Sequence, residues 1–205
     1  MIAAPGRSAG GRAVNMRPEP YAVDAFALTG DLLDAIVGVY AGAASPPAID
    51  ADRRRGLFVR HTLEPGWQAV AAGRPPVGFA YGFHCAPGQW WHDTLRRGMR
   101  AGLGFRASRS WLSDAFCLAE LHVHPSAQRQ GIGRALVEHL LDGRPERAVV
   151  LSTPDAAEAR KFYARLGFTE LLTGFAFPGT PAPYTVLGRR TPADATGWSL
   201  RRRGR

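Results

Sequence analysis

A chain of 205 residues with 45% hydrophobic content can build one continuous core, and its longest apolar runs, such as residues 25–28 and 148–151, fall far short of the roughly 18 to 20 residues that cross a bilayer. The formal charge of +9 invites an anionic partner, whether nucleic acid, a membrane surface or a phosphorylated cofactor. Much of that excess sits at the C-terminus in Arg201, Arg202, Arg203 and Arg205, so charge alone decides little.

Residues 1–17 hold Gly, Arg, Ser and Ala without the apolar block of a secretion signal, and read as a disordered leader with Met16 as an alternative start. Residues 21–28 alternate loosely as a first strand. Residues 31–41 begin with an acid and space Leu32, Leu33, Ile36 and Val39 or Tyr40 as a helix, which Pro46 and Pro47 close. A second, Arg-rich helix is expected over residues 51–63, then a hairpin of strands 67–72 and 77–85 around a turn at 73–76. Residues 86–114, with Trp90, Trp91 and Trp111, form too long a connection for a hairpin turn, and such segments are functional, helical or mobile.

Strand character returns over residues 116–123, and residues 131–141 place Ile132, Leu136, Val137, Leu140 and Leu141 on one side of a helix. A short buried strand at 148–151 follows. The next helix runs from about residue 155 to 166, with Asp155 and Glu158 as a capping signal and Gly167 as its stop. Strands at 168–172 and 184–187 flank a Pro/Gly loop, and residues 191–205 read as a basic disordered tail with only Trp198 to bury. Alternating strands and helices give a mixed α/β sheet. Cys85 and Cys117 lie far apart with no metal-ligand repeat, which favours a reducing, cytoplasmic setting.

The richest run is Leu118-Ala-Glu-Leu-His-Val-His-Pro-Ser-Ala-Gln-Arg-Gln-Gly-Ile-Gly-Arg-Ala-Leu136, a strand passing through a polar loop into an amphipathic helix. Gly131 and Gly133 lack a Cβ, so a phosphate can approach the backbone where the first helical turn offers unpaired N–H groups, and Arg129 and Arg134 add charge. The same glycines suit a plain strand-to-helix turn, and the run alone does not choose between the two.

Its context does. Gln128-Arg-Gln-Gly-Ile-Gly133 resembles the QxxGxG or RxxGxG signature of the GNAT acetyltransferase superfamily, the preceding Glu-Leu-His-Val-His-Pro125 resembles that family's fourth strand, and Ala159-Arg-Lys-Phe-Tyr-Ala-Arg-Leu-Gly-Phe168 resembles its AxxFYxxxGF segment. The resemblance is close over about 50 residues and compatible with one domain over residues 18–190, in which 86–114 is a substrate-side insertion. It implies a mixed, mostly antiparallel six- to seven-stranded sheet flanked by helices, splayed between the fourth and fifth strands. Acetyl-CoA is then the expected cosubstrate. Its pantetheine arm would lie along backbone groups of Leu121, His122 and Val123, its pyrophosphate over Gln128, Arg129, Gln130, Gly131, Ile132, Gly133 and Arg134, and an N–H near Val123 would polarise the thioester carbonyl. Many relatives carry Asn where this chain has Ala156, so one pantetheine contact is missing.

An attacking amine must lose a proton, and Glu120 is the carboxylate best placed to accept it, directly or through water, with His122 as the alternative base. Strand alternation sets Glu120 opposite Cys117 and Ala119 unless a bulge intervenes. Tyr163 falls on the tyrosine that resembles the family's general acid. Trp90, Trp91, His92 and Asp93 are candidates for the acceptor pocket, or else cap the core. No metal is expected, since His122 and His124 lack a third ligand.

These residues lead to an N-acetyltransferase that passes acetyl directly to an amine, a small molecule in the first instance because the aromatic insertion suits a compact pocket. A protein or peptide acceptor, a non-catalytic acyl-CoA-binding domain and a basic nucleic-acid-binding module are the rivals. Nucleic acid is disfavoured because it accounts for charge but not for the motifs; no membrane partner is expected, and a homodimer stays open.

Overall fold

The computed structural model describes residues 21–43, 51–180 and 182–191. The expected leader, the Pro46–Pro47 break and the tail beyond Thr191, including Trp198, lie outside the described residues. Thr191 is buried, its N–H donating to the Arg147 carbonyl at 3.1 Å.

The chain runs β1 (Val23–Ala25), α1 (Gly30–Ala43), α2 (Ala51–His61), β2 (Gln68–Ala72), β3 (Gly78–Cys85), α3 (Trp90–Leu103), α4 (Phe105–Leu112), β4 (Ala115–Val123), α5 (Ile132–Leu141), β5 (Ala148–Pro154), α6 (Ala157–Arg165), β6 (Thr169–Phe175) and β7 (Tyr184–Arg190). One seven-stranded sheet has the order β1-β2-β3-β4-β5-β7-β6, antiparallel everywhere except between β4 and β5. No helix among the described residues is long and apolar enough to cross a membrane.

Alternation along the strands divides the core in two. On one face α1 to α4 cover Phe79, Tyr81, Phe83, Cys117 and Val150; on the other, α5 and α6 cover Ala80, Phe116, Leu118, Val149 and Leu151. The long insertion contributes to the first face as two helices separated at Gly104, whose φ of 87° only glycine takes readily. Gly98 of α3 lies so close to β6 that a Cβ there would stand 2.1 Å from the Phe175 ring. The segment is therefore a packed part of the domain.

Two local departures from expectation bear on the site. The first strand is shorter than residues 21–28, although Phe26 and Leu28 still pack on the core. The cap of α6 also differs: Ala156, not Asp155, holds the N-cap position and offers no side-chain hydrogen bond. Asp155 is committed elsewhere, accepting from the Thr185 hydroxyl at 3.1 Å and pairing with Arg160 at 3.1 Å.

The β4–β5 pair is joined only from Ala115 to Cys117 against Ala148 to Val150, although β4 continues to Val123 and β5 to Pro154. Beyond that short ladder the strands part, and the sheet opens as a wedge. On its other edge β4 is bulged: Tyr81 faces Glu120 and Gly82 faces Leu118, leaving Ala119 without a partner. Gly82 sits at this irregularity, where a Cβ would lie 2.3 Å from the Cys117 carbonyl oxygen and 2.4 Å from the Phe116 ring. Because a backbone oxygen cannot rotate away, Gly82→Ala should cost on the order of 1 to 3 kcal/mol. Thermal unfolding would then show a midpoint lower by about 2 to 4 °C per kcal/mol; an unchanged midpoint would contradict this close approach of β3 and β4.

Candidate active site

After β4 the chain makes a 3₁₀ turn over Pro125–Ala127, extends at Gln128, and takes left-handed backbone at Arg129 (φ 63°) and Gly131 (φ 87°) before α5 begins. The amides of Ala127 and Gln128 bond back to His124 and Pro125, and the first helical amide with an acceptor is Ala135, bonded to the Gly131 carbonyl at 3.1 Å. Among the described residues, the backbone N–H groups of residues 129–134 are thus left without a backbone acceptor, at a helix N-terminus. An ideal Cβ on Gly131 meets nothing within 4 Å, so the turn that carries these amides borders open space at Gly131. This is a fit for a diphosphate.

Gly133 has a different task. A Cβ there would lie 3.4 Å from the Phe162 ring, an ordinary contact, so this position faces α6 rather than clearing room for a ligand. Arg129 and Arg134 are held in exposed pairs with Glu158 (3.5 Å) and Glu138 (2.8 Å). Such pairs are worth little, so both guanidinium groups can turn to an anion at small cost. Gln128 folds back, its side-chain amide donating to the Val123 carbonyl at 2.9 Å.

The direction of β4's own backbone groups follows from its ladder. His124 N–H donates to Val77 O, so His122 and His124 direct their main-chain groups toward β3, and Leu121 and Val123 direct theirs into the wedge. The Leu121 and Val123 side chains join the face beneath α5.

The bulge decides where Glu120 points. It brings Glu120 to the face that holds Cys117, where its two oxygens meet Arg54 of α2 (2.8 Å) and the Nε2 of His122 (2.6 Å). Arg54 also donates to the Tyr40 hydroxyl and lies 4.1 Å above the Tyr40 ring, which packs edge-on to His122 at 4.8 Å. Next to this group the Tyr81 hydroxyl bonds the Nδ1 of His61 at 2.8 Å; burial lowers the His61 pKa and keeps that ring neutral. The Arg53-Arg54-Arg55 run therefore does not present one basic face: Arg54 turns inward and Arg55 pairs with Asp34.

Tyr163 lies in the core of the opposite face, packed between Phe162 (5.0 Å) and Phe168 (5.5 Å). Burial pushes its phenol pKa well up, and Glu120 is the one charged group that adds to the shift. Cys117, below Glu120, is also buried and its thiol is pushed far up, as is that of Cys85, to about 12. Thiolate is scarce at both, so neither is a ready nucleophile.

The four insertion residues separate. Trp91 donates from Nε1 to the Ser152 hydroxyl at 3.0 Å, on the part of β5 that borders the wedge. Trp90 is exposed and leans on Phe177. His92 is buried and pairs with Asp93 at 2.9 Å, facing a cavity at the other end of β3. Two residues that sequence reading missed take part instead: Arg54 on Glu120, and Tyr40 on Arg54 and His122. No local pattern marks them, because each acts on a strand distant in sequence.

A family model described as an acetyltransferase (GNAT) domain matches residues 96–170. The chain is 36% identical over 183 residues to the GCN5-like protein acetyltransferase Rv2170 of Mycobacterium tuberculosis, covering 75% of this chain and 89% of that one. Among solved structures, the ribosomal-protein-S18-alanine N-acetyltransferase of Escherichia coli superposes with a TM-score of 0.55 at 20% identity, over 82% of this chain and 94% of that one. The NatC complex bound to Gag peptide and CoA contains a chain that superposes at 0.55 with 14% identity, over 82% and 98%. At those identities the likeness is one of fold.

Proposed function

The chain belongs to the GNAT acetyltransferase family, and from that premise we propose that it transfers acetyl from acetyl-CoA directly to an amine carried on a protein or peptide. The observation that carries the acetyl-CoA reading is the run of amides at residues 129–134 without backbone acceptors, at a helix N-terminus bordered by open space at Gly131. Leu121 and Val123 offer the edge groups for the pantetheine arm, and Arg129 and Arg134 balance the diphosphate charge. Acetyl-CoA supplies an activated acyl carbon and a thiolate leaving group.

The chain's own residues manage the protons. With Nε2–H donating to Glu120, His122 keeps an acceptor nitrogen at Nδ1, so the Glu120–His122 pair takes the proton from the incoming ammonium while Arg54 fixes the carboxylate. Tyr163, on the sheet face opposite Glu120 and kept protonated by burial, is the donor to the departing sulfur. Scarcity of thiolate at Cys117 favours direct transfer over an acyl-cysteine.

A protein acceptor is favoured by two observations: the 36%-identical relative is named a protein acetyltransferase, and the insertion packs as helices on β6 rather than gathering Trp90, Trp91, His92 and Asp93 over the wedge. Trp91, bonded to Ser152 at the border of the wedge, favours the small-molecule reading. Free-thiol release from acetyl-CoA, measured with lysine- and N-terminal-amine peptides against amino acids and polyamines, separates them. Peptides should show the higher kcat/KM, with Glu120→Gln lowering it about 100-fold; preference for small amines would overturn the acceptor class, and acetyl-CoA binding without turnover on any amine would overturn catalysis.

A further inference from the structure

A cavity lies on the first face, away from the wedge, between α3, α4 and the end of β3. It measures about 230 Å³, and His84, His92, Arg96, Arg100, Ser108 and Arg109 supply its polar lining, with Cys85, Phe105 and Leu112 among its apolar groups. His92 and Ser108 are each only 2% exposed, whereas Arg100 and Arg109 stand at the surface. The polar groups thus form a floor and the guanidinium groups a rim.

The charges of this cavity do not balance. No carboxylate lines it, and Asp93 beside His92 is already shared: its Oδ1 accepts from His92 Nδ1 at 2.9 Å and lies 3.7 Å from Arg96, and its Oδ2 accepts from the Gly88 N–H at 3.2 Å. His84 is drawn to Glu146 at 3.4 Å. Arg100 rests over the Phe105 ring at 5.1 Å, and among the described residues neither it nor Arg109 has a carboxylate within ion-pair reach. Two uncompensated guanidinium groups therefore border a concave space whose walls concentrate their field. With Nδ1 given to Asp93, the Nε2 edge of His92 is the one left for the cavity. Ser108 is barely engaged, donating to the Arg96 carbonyl at 3.4 Å.

We propose that this cavity binds a compact, doubly charged oxyanion, a phosphate or a small dicarboxylate, at a site separate from acetyl transfer. Arg100 and Arg109 clamp it by charge-assisted hydrogen bonds, Ser108 and His92 meet it at the floor, and the exposed Phe105 ring holds Arg100 in place. The volume of about 230 Å³ is below that of ordinary cofactor sites and suits a compact anion.

Titration calorimetry on the full chain at constant ionic strength, with inorganic phosphate and with succinate, tests this and identifies the anion. At least one should bind saturably, and the Arg100→Gln/Arg109→Gln variant should weaken it at least about tenfold, the loss of about 1.4 kcal/mol. Acetyl-CoA affinity should be equal in both proteins, which separates this result from the reading of the wedge. Binding no better than chloride for both anions, or equal binding by the variant, would overturn the site. The ring signals of His92 in the unaltered chain give a second readout: the bound anion should move them saturably, and signals unmoved by either anion would also contradict it.

Discussion

Tyr163→Phe is expected to lower kcat about 100-fold while leaving the affinity for coenzyme A unchanged. The ring's packing against Phe162 and Phe168 survives the substitution, and only the hydroxyl disappears. Burial raises the phenol pKa, so the group keeps its proton through neutral and moderately alkaline pH, as a donor to a leaving thiolate must. The wild-type rate should accordingly not fall up to about pH 10, the ordinary tyrosine value. Single-turnover rates with saturating acetyl-CoA measure the effect; a kcat within a factor of about two of the wild type would remove Tyr163 from the chemistry, given the 10²-fold or greater contribution expected of a general acid.

The second large effect is expected at the cradle. Gly131→Trp should raise the dissociation constant for coenzyme A by more than about tenfold, because an indole would fill the space before the free amides and the φ of 87° strains any side chain by about 1 to 3 kcal/mol. Gly133→Ala is the informative partner. Its methyl would lie against Phe162 at an ordinary contact distance of 3.4 Å, on helical backbone, so the fold and the affinity should both persist. Equal losses from the two substitutions, in calorimetry with coenzyme A and in thermal unfolding, would contradict the distinct roles given to these glycines.

Much of this architecture is legible in the residues. Apolar spacing in Ile132, Leu136, Val137 and Leu140 fixes α5 because it has one buried face, and strand alternation yields both sheet faces. Gly131 locates the cradle since its positive φ favours that residue type. Three things were hidden. The bulge at Ala119 depends on how β3 and β4 pair, so alternation alone left the side of Glu120 undecided. Arg54 reads as part of a surface run, and only docking of α2 onto β4, 66 positions away, turns it onto Glu120. The insertion's Trp, His and Asp residues sit together in sequence, yet the helical turn at α3 sends Trp91 and His92 to different places.

The structure of this chain with coenzyme A bound would decide the main point. The account places the diphosphate within hydrogen-bonding distance of the amides of residues 129–134, with the pantetheine arm between β4 and β5. Coenzyme A seated on another surface, those amides still facing solvent, would contradict it.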